Sequence, residues 1–145
     1  MPASFSHFGI CVSDLERSLA FYCEGLGFEP TARHRIGQDF AGLMELDDVE
    51  LTSQFVAREG TSIELLHFEV PEATGEPTRR PINRLGLTHL SLLVGDMAAT
   101  GAAINRLGGE VLEATRTILE VEGTRAEFVY CTDPDGVRIE LMHFG

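Results

Sequence analysis

The sequence predicts an α+β fold in which two βαβββ modules in tandem form a curved mixed sheet with pseudo-twofold symmetry. Three observations predict this fold: the two halves repeat the same order of parts, each half has one helical pattern among strand-like runs, and a polar, proline-containing stretch joins them. A half of about 65 residues does not easily support its own core. We therefore expect a single domain over 1–145, with modules at 5–70 and 87–144 and a linker at 71–86.

The repeat appears when the halves are aligned at a histidine. The first begins HFGICVSDLERSLAFYCEGLGF at His7, and the second begins HLSLLVGDMAATGAAINRLGG at His89. Each contains a run of strand formers, then an Asp, then a helical pattern that ends near Leu-Gly. The strands SIELLHF and RIELMHF carry Glu64 and Glu140. The histidines are 82 residues apart and the glutamates 76 apart, so only loop lengths differ.

The individual elements follow from turn signals and periodicity. In the first module, Ser13 and Glu16 have the spacing of a capping box, which predicts a helix after a strand at 5–12. In the second module, DPDG at 133–136 predicts a turn before the last strand. The other predicted strands lie at about 28–36, 40–56 (with a break at 47–48), 62–70, 87–94, 111–117, 125–131 and 137–144, and the second helix lies at about 97–107.

Composition narrows the possible functions. The chain of 145 residues is 43% hydrophobic and 23% charged, which is ordinary globular composition. Its net charge of -12 repels phosphate backbones, so we expect no nucleic-acid partner. We also expect no membrane partner, because no basic run or long apolar run is present. The three scattered cysteines and the lack of a signal-peptide pattern favour a cytoplasmic protein with reduced thiols.

Each repeated strand places a carboxylate on a largely apolar face. Because side chains alternate along a strand, Glu64 shares a face with Leu66 and Phe68, and Glu140 has the equivalent place in the second module. A carboxylate in such surroundings is costly unless it is paired, protonated or bound to a cation.

The histidines are the expected partners of these carboxylates. His7 and His89 lie on the less bulky faces of the first strands, and the symmetry of the repeat brings the four groups together. Two nitrogens and two oxygens suit a borderline divalent cation with open positions for water or substrate. A single His or Glu on a strand is more often structural or solvated, but matched pairs in two modules favour a metal site.

Several arginines have two interpretations. Arg33 and His34 lie in the charged segment RHR, which is either solvated or in contact with an anionic substrate. The same alternatives hold for the linker, where Arg79, Arg80 and Arg84 belong either to a solvated connection or to a flap over the substrate.

Together these motifs resemble the vicinal oxygen chelate superfamily, which includes glyoxalase I, methylmalonyl-CoA epimerase, extradiol dioxygenases, and fosfomycin and bleomycin resistance proteins. The resemblance covers nearly the whole chain and is closest to glyoxalase I-like metalloenzymes. It implies a glyoxalase-like fold, a homodimer and one divalent ion per site (Ni, Co, Mn, Zn or Mg, in preference to Fe). The implied metal ligands are His7, Glu64, His89 and Glu140.

The resemblance also implies a chemistry, in which a glutamate removes a proton next to a carbonyl and the metal stabilises the enediolate. Glu140 is the expected base and Glu64 the alternative. Two glutathione contacts of glyoxalase I-like enzymes are missing, because Cys11 stands in place of an Arg and Phe68 in place of an Asn. We therefore expect a small carbonyl substrate that is not bound as in glyoxalase I, with Cys11, Arg33, His34 and Phe68 as candidate contacts.

Three functions fit this pattern. The first is a metal-dependent lyase or isomerase of the glyoxalase and epimerase type. The second is an extradiol-type dioxygenase, although Glu64 would add a fourth ligand to a site that needs two His and one Glu. The third is a non-catalytic drug-binding protein, similar to the bleomycin resistance proteins, whose members generally lack the four ligands.

Overall fold

The computed structural model describes residues 2–145, apart from the side chain of Val121. The described chain divides into two compact units with a boundary between Gly75 and Glu76. Each unit has one mixed sheet and few helices, which confirms the predicted α+β class with two modules. None of the helices in the described part of the chain has the length and apolar character that a membrane span requires.

The first unit is built from four strands and short helices. Its elements are β1 (Phe8–Cys11), α1 (Leu15–Ala20), a π-helical turn (Phe21–Gly25), β2 (Glu29–Ile36), a 3-10 turn (Gln38–Phe40), α2 (Ala41–Met44), β3 (Glu50–Arg58) and β4 (Thr61–Val70). The strand order is β1-β4-β3-β2. β1 and β4 are parallel, and the other neighbours are antiparallel.

Two details of the first unit differ from the sequence prediction. The residue that caps α1 is Asp14, whose carboxylate accepts a hydrogen bond from the Arg17 backbone N–H at 2.9 Å. Asp is at least as good an N-cap as Ser, and its charge also suits the helix N-terminus. The segment predicted as a strand at 40–56 is helical up to Met44, and β3 begins only at Glu50. The Gln38 side chain bonds the backbone of Asp47 and Val49, which holds this helical excursion in place.

The first unit has buried residues on both faces of its sheet, with a small cluster around Leu51 on the face that carries Glu64 and the rest of the core on the other face. Because side chains alternate, Ile63 and Leu65 of β4 share a face, and both are fully buried. Ile10 of β1 and Val12, the residue after that strand, are buried as well. Gly9, on the other face of β1, is exposed. The face that carries Glu64 therefore keeps contact with solvent.

The second unit has five strands and one longer helix. Its elements are β5 (Leu90–Leu93), α3 (Met97–Arg106), β6 (Glu110–Val111), a 3-10 turn (Glu113–Thr115), β7 (Thr117–Val121), β8 (Thr124–Thr132) and β9 (Arg138–Phe144). The strand order is β5-β9-β8-β6, with β7 also paired to β8. Asp96 caps α3 by accepting a hydrogen bond from the Ala99 N–H at 2.8 Å.

The predicted strand at 111–117 is wrong, because a 3-10 turn interrupts it. The Thr115 hydroxyl donates to the Leu112 carbonyl at 2.8 Å and accepts from the Tyr130 N–H at 2.9 Å. At this point the Tyr130 N–H of β8 bonds a side-chain hydroxyl in place of a backbone carbonyl, so β6 and β7 pair with β8 as two separate strands. Behind them, Ile139 and Leu141 of β9 are fully buried, which leaves Glu140 on the opposite face.

Candidate metal centre

The first unit brings His7 and Glu64 together. β1 and β4 are parallel neighbours with Gly9 opposite Glu64, and His7 lies two residues before Gly9. The His7 Nε2 atom is 3.2 Å from Glu64 Oε2, and the two side chains are 35% and 19% exposed. This pair is one of the two half-sites predicted from the repeat.

The second unit repeats the arrangement with His89 and Glu140. Ser91 of β5 lies opposite Glu140 of β9, and His89 lies two residues before Ser91. His89 Nε2 is 3.5 Å from Glu140 Oε2. In the described part of each unit, no third His, Cys, Asp or Glu completes a metal-binding group. Each unit thus supplies one nitrogen and one oxygen.

The separations within the pairs fit two ligands of one ion. Metal–ligand bonds of about 2.1 Å place neighbouring donor atoms about 3.0 Å apart at right angles and about 3.4 Å apart in a tetrahedron. The observed values of 3.2 and 3.5 Å lie close to this range. They are at or beyond the long end of an N–H···O hydrogen bond.

A hydroxyl group holds the other ring nitrogen of each histidine. The Ser6 Oγ atom is 2.8 Å from His7 Nδ1, and Thr88 Oγ1 is 2.9 Å from His89 Nδ1. For Nε2 to offer a lone pair to a metal, Nδ1 must carry the proton and donate it to the hydroxyl oxygen. We did not predict these two residues, although the signal is visible: a hydroxyl residue directly precedes each histidine.

Aromatic rings form a second matched feature. Phe55 lies opposite Glu64 in the β3–β4 ladder, and Tyr130 lies opposite Glu140 in the β8–β9 ladder. The rings of His7 and Phe55 have centroids 5.0 Å apart, and those of His89 and Tyr130 are 5.4 Å apart. Both contacts are edge-to-face, so each imidazole packs against an aromatic ring that restricts its orientation. Only the strand register reveals this pairing.

Serine hydroxyls contact both carboxylates, but in different ways. Ser53 donates to Glu64 Oε1 at 2.5 Å, and Ser91 donates to Glu140 Oε2 at 2.8 Å. Glu64 therefore uses one oxygen for the serine and the other for the histidine. Glu140 makes both contacts through Oε2. Among the described residues its Oε1 has no such contact, which leaves it available to accept a proton.

Glu140 also lies on the wall of a cavity. This cavity in the second unit has a volume of about 360 Å³ and is lined by Thr115, Thr117, Leu119, Phe128, Val129, Tyr130 and Glu140. The volume lies at the small end of the range for small-molecule sites. One carboxylate at a mostly apolar wall suits a compact ligand with a single polar reacting group.

The four candidate substrate contacts lie in different surroundings. His34 of β2 is opposite Ser53, and its ring is 6.3 Å from that of Phe55, so it belongs to the face that carries Glu64. Arg33 lies opposite Gln54, where its side chain donates to Gln54 Oε1 at 2.6 Å and to Glu16 Oε1 at 3.3 Å. Because side chains alternate, Arg33 lies on the other face from His34.

The other two candidates are apolar or weakly polar. Cys11 is exposed on β1 beside Leu66. Phe68 packs against a small core cluster formed by Ala41, Val49 and Leu51, so its side chain supports α2. The structure therefore places both His34 and Phe68 on the Glu64 face, where Phe68 is engaged in packing, whereas Arg33 bridges Gln54 and Glu16 on the other face.

Comparison with known proteins identifies relatives with several activities. The family model described as "Glyoxalase/Bleomycin resistance protein/Dioxygenase superfamily" matches residues 4–141. A catechol-2,3-dioxygenase of Bacillus subtilis is 31% identical over 91% of this chain, which spans only 38% of that relative. A probable lactoylglutathione lyase of Vibrio parahaemolyticus is 28% identical, and the match covers 94% of this chain and 87% of the relative.

Solved structures share the fold. A glyoxalase family protein from Bacillus cereus has a TM-score of 0.83 at 19% identity, covering 99% of this chain and 95% of that one. The fosfomycin resistance protein FosX of Listeria monocytogenes, in complex with Mn(II) and sulfate, has a TM-score of 0.60 at 19% identity, covering 99% and 93%. The repeated modules and the family match lead to one conclusion. This chain belongs to the glyoxalase/bleomycin resistance protein/dioxygenase superfamily.

Proposed function

We propose that the protein is a divalent-metal-dependent lyase or isomerase of the glyoxalase and epimerase type. The observation that carries the proposal is the pair of His Nε2–Glu Oε2 separations of 3.2 and 3.5 Å, which occur at matching places in two units. His7, Glu64, His89 and Glu140 would hold the ion together. Nitrogen and oxygen donors of this kind suit Ni, Co, Mn, Zn or Mg.

The chain's own residues have distinct roles in this proposal. A bound divalent ion would polarise a substrate carbonyl and stabilise negative charge on its oxygen. Glu140 is the general base for the proton on the neighbouring carbon, because its Oε1 is uncommitted within the described residues and the residue lines a cavity. Glu64, with both oxygens engaged, is a ligand only. Ser6 and Thr88 orient the imidazoles.

The proposed substrate is a small carbonyl compound that is not a glutathione adduct. Cys11 and Phe68 stand where glyoxalase I-like enzymes have glutathione contacts. Phe68 is packed against a core cluster and has no polar group to offer. A cavity of about 360 Å³ suits a compact molecule.

The four ligands come from both units, so the site needs donors from each. The proposal includes a homodimer, as the family resemblance implies, and the donors meet either within one chain or between two.

Elemental analysis of protein purified without a polyhistidine tag tests the metal site. We expect close to one divalent ion per site in the wild type and its loss in Glu64→Ala and Glu140→Ala. Glu120→Ala, an exposed glutamate on β7, is the matched control and should keep the ion. Failure of the wild type to bind any offered divalent ion would refute the enzymatic proposal and favour a non-catalytic binding protein.

Solvent deuterium incorporation tests the chemistry. The wild type, loaded with the metal ion that it binds most tightly, should exchange the carbon-bound protons of a small ketone, such as dihydroxyacetone phosphate or pyruvate, for solvent deuterium. NMR measures this exchange. Glu140→Gln should abolish the exchange and leave metal content within about twofold, since an amide oxygen still binds the ion weakly but is not a base. Equal exchange in the variant would contradict the assignment of Glu140.

An extradiol-type dioxygenase is the second candidate. The catechol-2,3-dioxygenase relative, 31% identical over 91% of this chain, favours it. Iron in the purified protein, together with oxygen uptake on addition of catechol, would select this function. Glu64 opposes it, because a second carboxylate at the ion fills a position that dioxygen and catechol need.

A further inference from the structure

The second unit contains another cavity, of about 420 Å³, whose lining carries three arginines. Arg79, Arg80 and Arg138 face it together with a single carboxylate, Glu110. The formal charge of this lining is thus positive in a chain with a net charge of -12. Only eleven basic residues exist in the chain, so three of them at one cavity is a strong local concentration.

Arg138 is held in this cavity with an unsatisfied donor. Its Nε atom is buried and has no hydrogen-bond partner among the described residues. Its guanidinium carbon lies over the Tyr130 ring, 5.3 Å from the ring centre, in a cation–π contact. A buried donor without a partner is costly, and an anion that accepts from the guanidinium would remove that cost.

The wall of the cavity is held by close backbone packing and by hydrogen bonds. The backbone of Pro77 and Thr78 lies so close to Gly136 that a Cβ there would be 2.7 Å from the Thr78 carbonyl carbon. Gly136 also has a φ of +88°, so this turn requires glycine twice over. Arg80 donates from Nη2 to the Leu85 carbonyl at 2.7 Å, which closes the segment that follows Arg79. This part of the linker, for which the sequence allowed either a solvated connection or a flap, packs against the DPDG turn.

The arginine cavity adjoins the half-site of the same unit. Arg138 and Glu140 are two residues apart on β9, so they share a face. Tyr130 lies between the two cavities, since it lines the one that contains Glu140 and stacks under Arg138. It also contacts His89.

We propose that this cavity binds an anionic group, a carboxylate or a phosphate, of the substrate whose carbonyl reacts beside Glu140. The planar fork of Arg138 donates hydrogen bonds to two oxygens of the anion, and Arg79 and Arg80 add positive charge from the linker. The link to a substrate rests on the function proposed above, whereas binding of the anion itself does not. The substrate class is thus a small anionic carbonyl compound.

NMR of the full-length protein in EDTA tests the anion site without metal or turnover. Backbone amide signals of the DPDG turn, which the Arg138→Gln variant retains, are followed together with the Nε–Hε signal of Arg138 while inorganic phosphate or acetate is added at constant ionic strength. We expect a saturable shift, and the anion with the lower Kd identifies phosphate or carboxylate as the group recognised. Arg138→Gln should weaken binding about tenfold, as expected for a charged hydrogen bond. Arg106→Gln, with the same change of charge on α3, should leave it unchanged.

Glu110→Gln is an independent arm, because removal of the one carboxylate in the lining should tighten binding severalfold. Thermal unfolding shows whether each variant is folded. Shifts that do not saturate, or equal affinity in Arg138→Gln, Glu110→Gln and the wild type, would overturn the proposal. If phosphate or acetate binds but elemental analysis finds no divalent metal ion, the proposed metal-dependent function fails and the anion site stands. If a divalent metal ion binds but neither anion does, the anion site fails and the metal-dependent function stands.

Discussion

The hydroxyls beside the two histidines should control metal affinity. Ser6→Ala and Thr88→Val each remove the acceptor for a Nδ1 proton, at 2.8 and 2.9 Å. Loss of such a partner costs about 10–100-fold in metal affinity. Both hydrogen bonds are exposed, so we expect the lower end, about tenfold each or ~1.4 kcal/mol. Because both histidines would hold the same ion, a departure of the double variant from an additive loss of about 100-fold measures their coupling through that ion.

Competition with a fluorescent chelator measures these affinities for Zn and Co. Ser4→Ala and Thr124→Val, at exposed positions that do not directly precede a histidine, are the matched controls. Long-range ¹H–¹⁵N spectra of the imidazoles add a readout that lost packing alone does not move, since they report which ring nitrogen carries the proton. Affinities within about twofold of the controls, with an unchanged tautomer, would refute the positioning role of Ser6 and Thr88.

Three further predictions concern assembly and stability. If the ligands meet between two chains, mixed dimers of His7→Ala and Glu140→Ala should regain one metal per dimer, whereas a site within one chain gives none. Leu141→Ala should lower the free energy of unfolding by about 2–5 kcal/mol in urea titrations, because this side chain is fully buried; a loss below ~1 kcal/mol would contradict its place in the core. Burial raises the pKa of Cys131 from 9.0 to about 12. The unfolded chain then loses this proton first, so stability of the wild type should fall relative to Cys131→Ala as pH rises above 9.0, by up to about 1.4 kcal/mol per pH unit. Parallel pH profiles would exclude this effect.

Local patterns predicted the parts of the fold that depend on neighbours in sequence. The alternation in SIELLHF and RIELMHF placed each glutamate on one face of its strand, and the structure buries Ile63 and Ile139 on the other face. The helix cap shows the limit of such reasoning. Ser13 and Asp14 are both good N-caps, and the choice between them depends on where the chain leaves β1, which is a matter of packing.

The breaks in the predicted strands have the same origin. The helical turn before β3 is held by Gln38, whose partners lie nine and eleven residues further on. The interruption between β6 and β7 depends on a hydrogen bond from Tyr130 to Thr115. Neither contact leaves a periodic signal, because a single long-range bond decides it.

The sequence by itself determined the double module and the His–Glu pair that each module contains, since a repeat with alternating side chains specifies both face and order. Tertiary structure alone decided that Phe55 and Tyr130 stand beside the histidines, that Glu140 keeps one oxygen open, and that Arg138 stacks on Tyr130 with an unsatisfied donor. The physical reason is that these contacts join strands whose register depends on turns and bulges, and a shift of one residue would move every side chain to the opposite face.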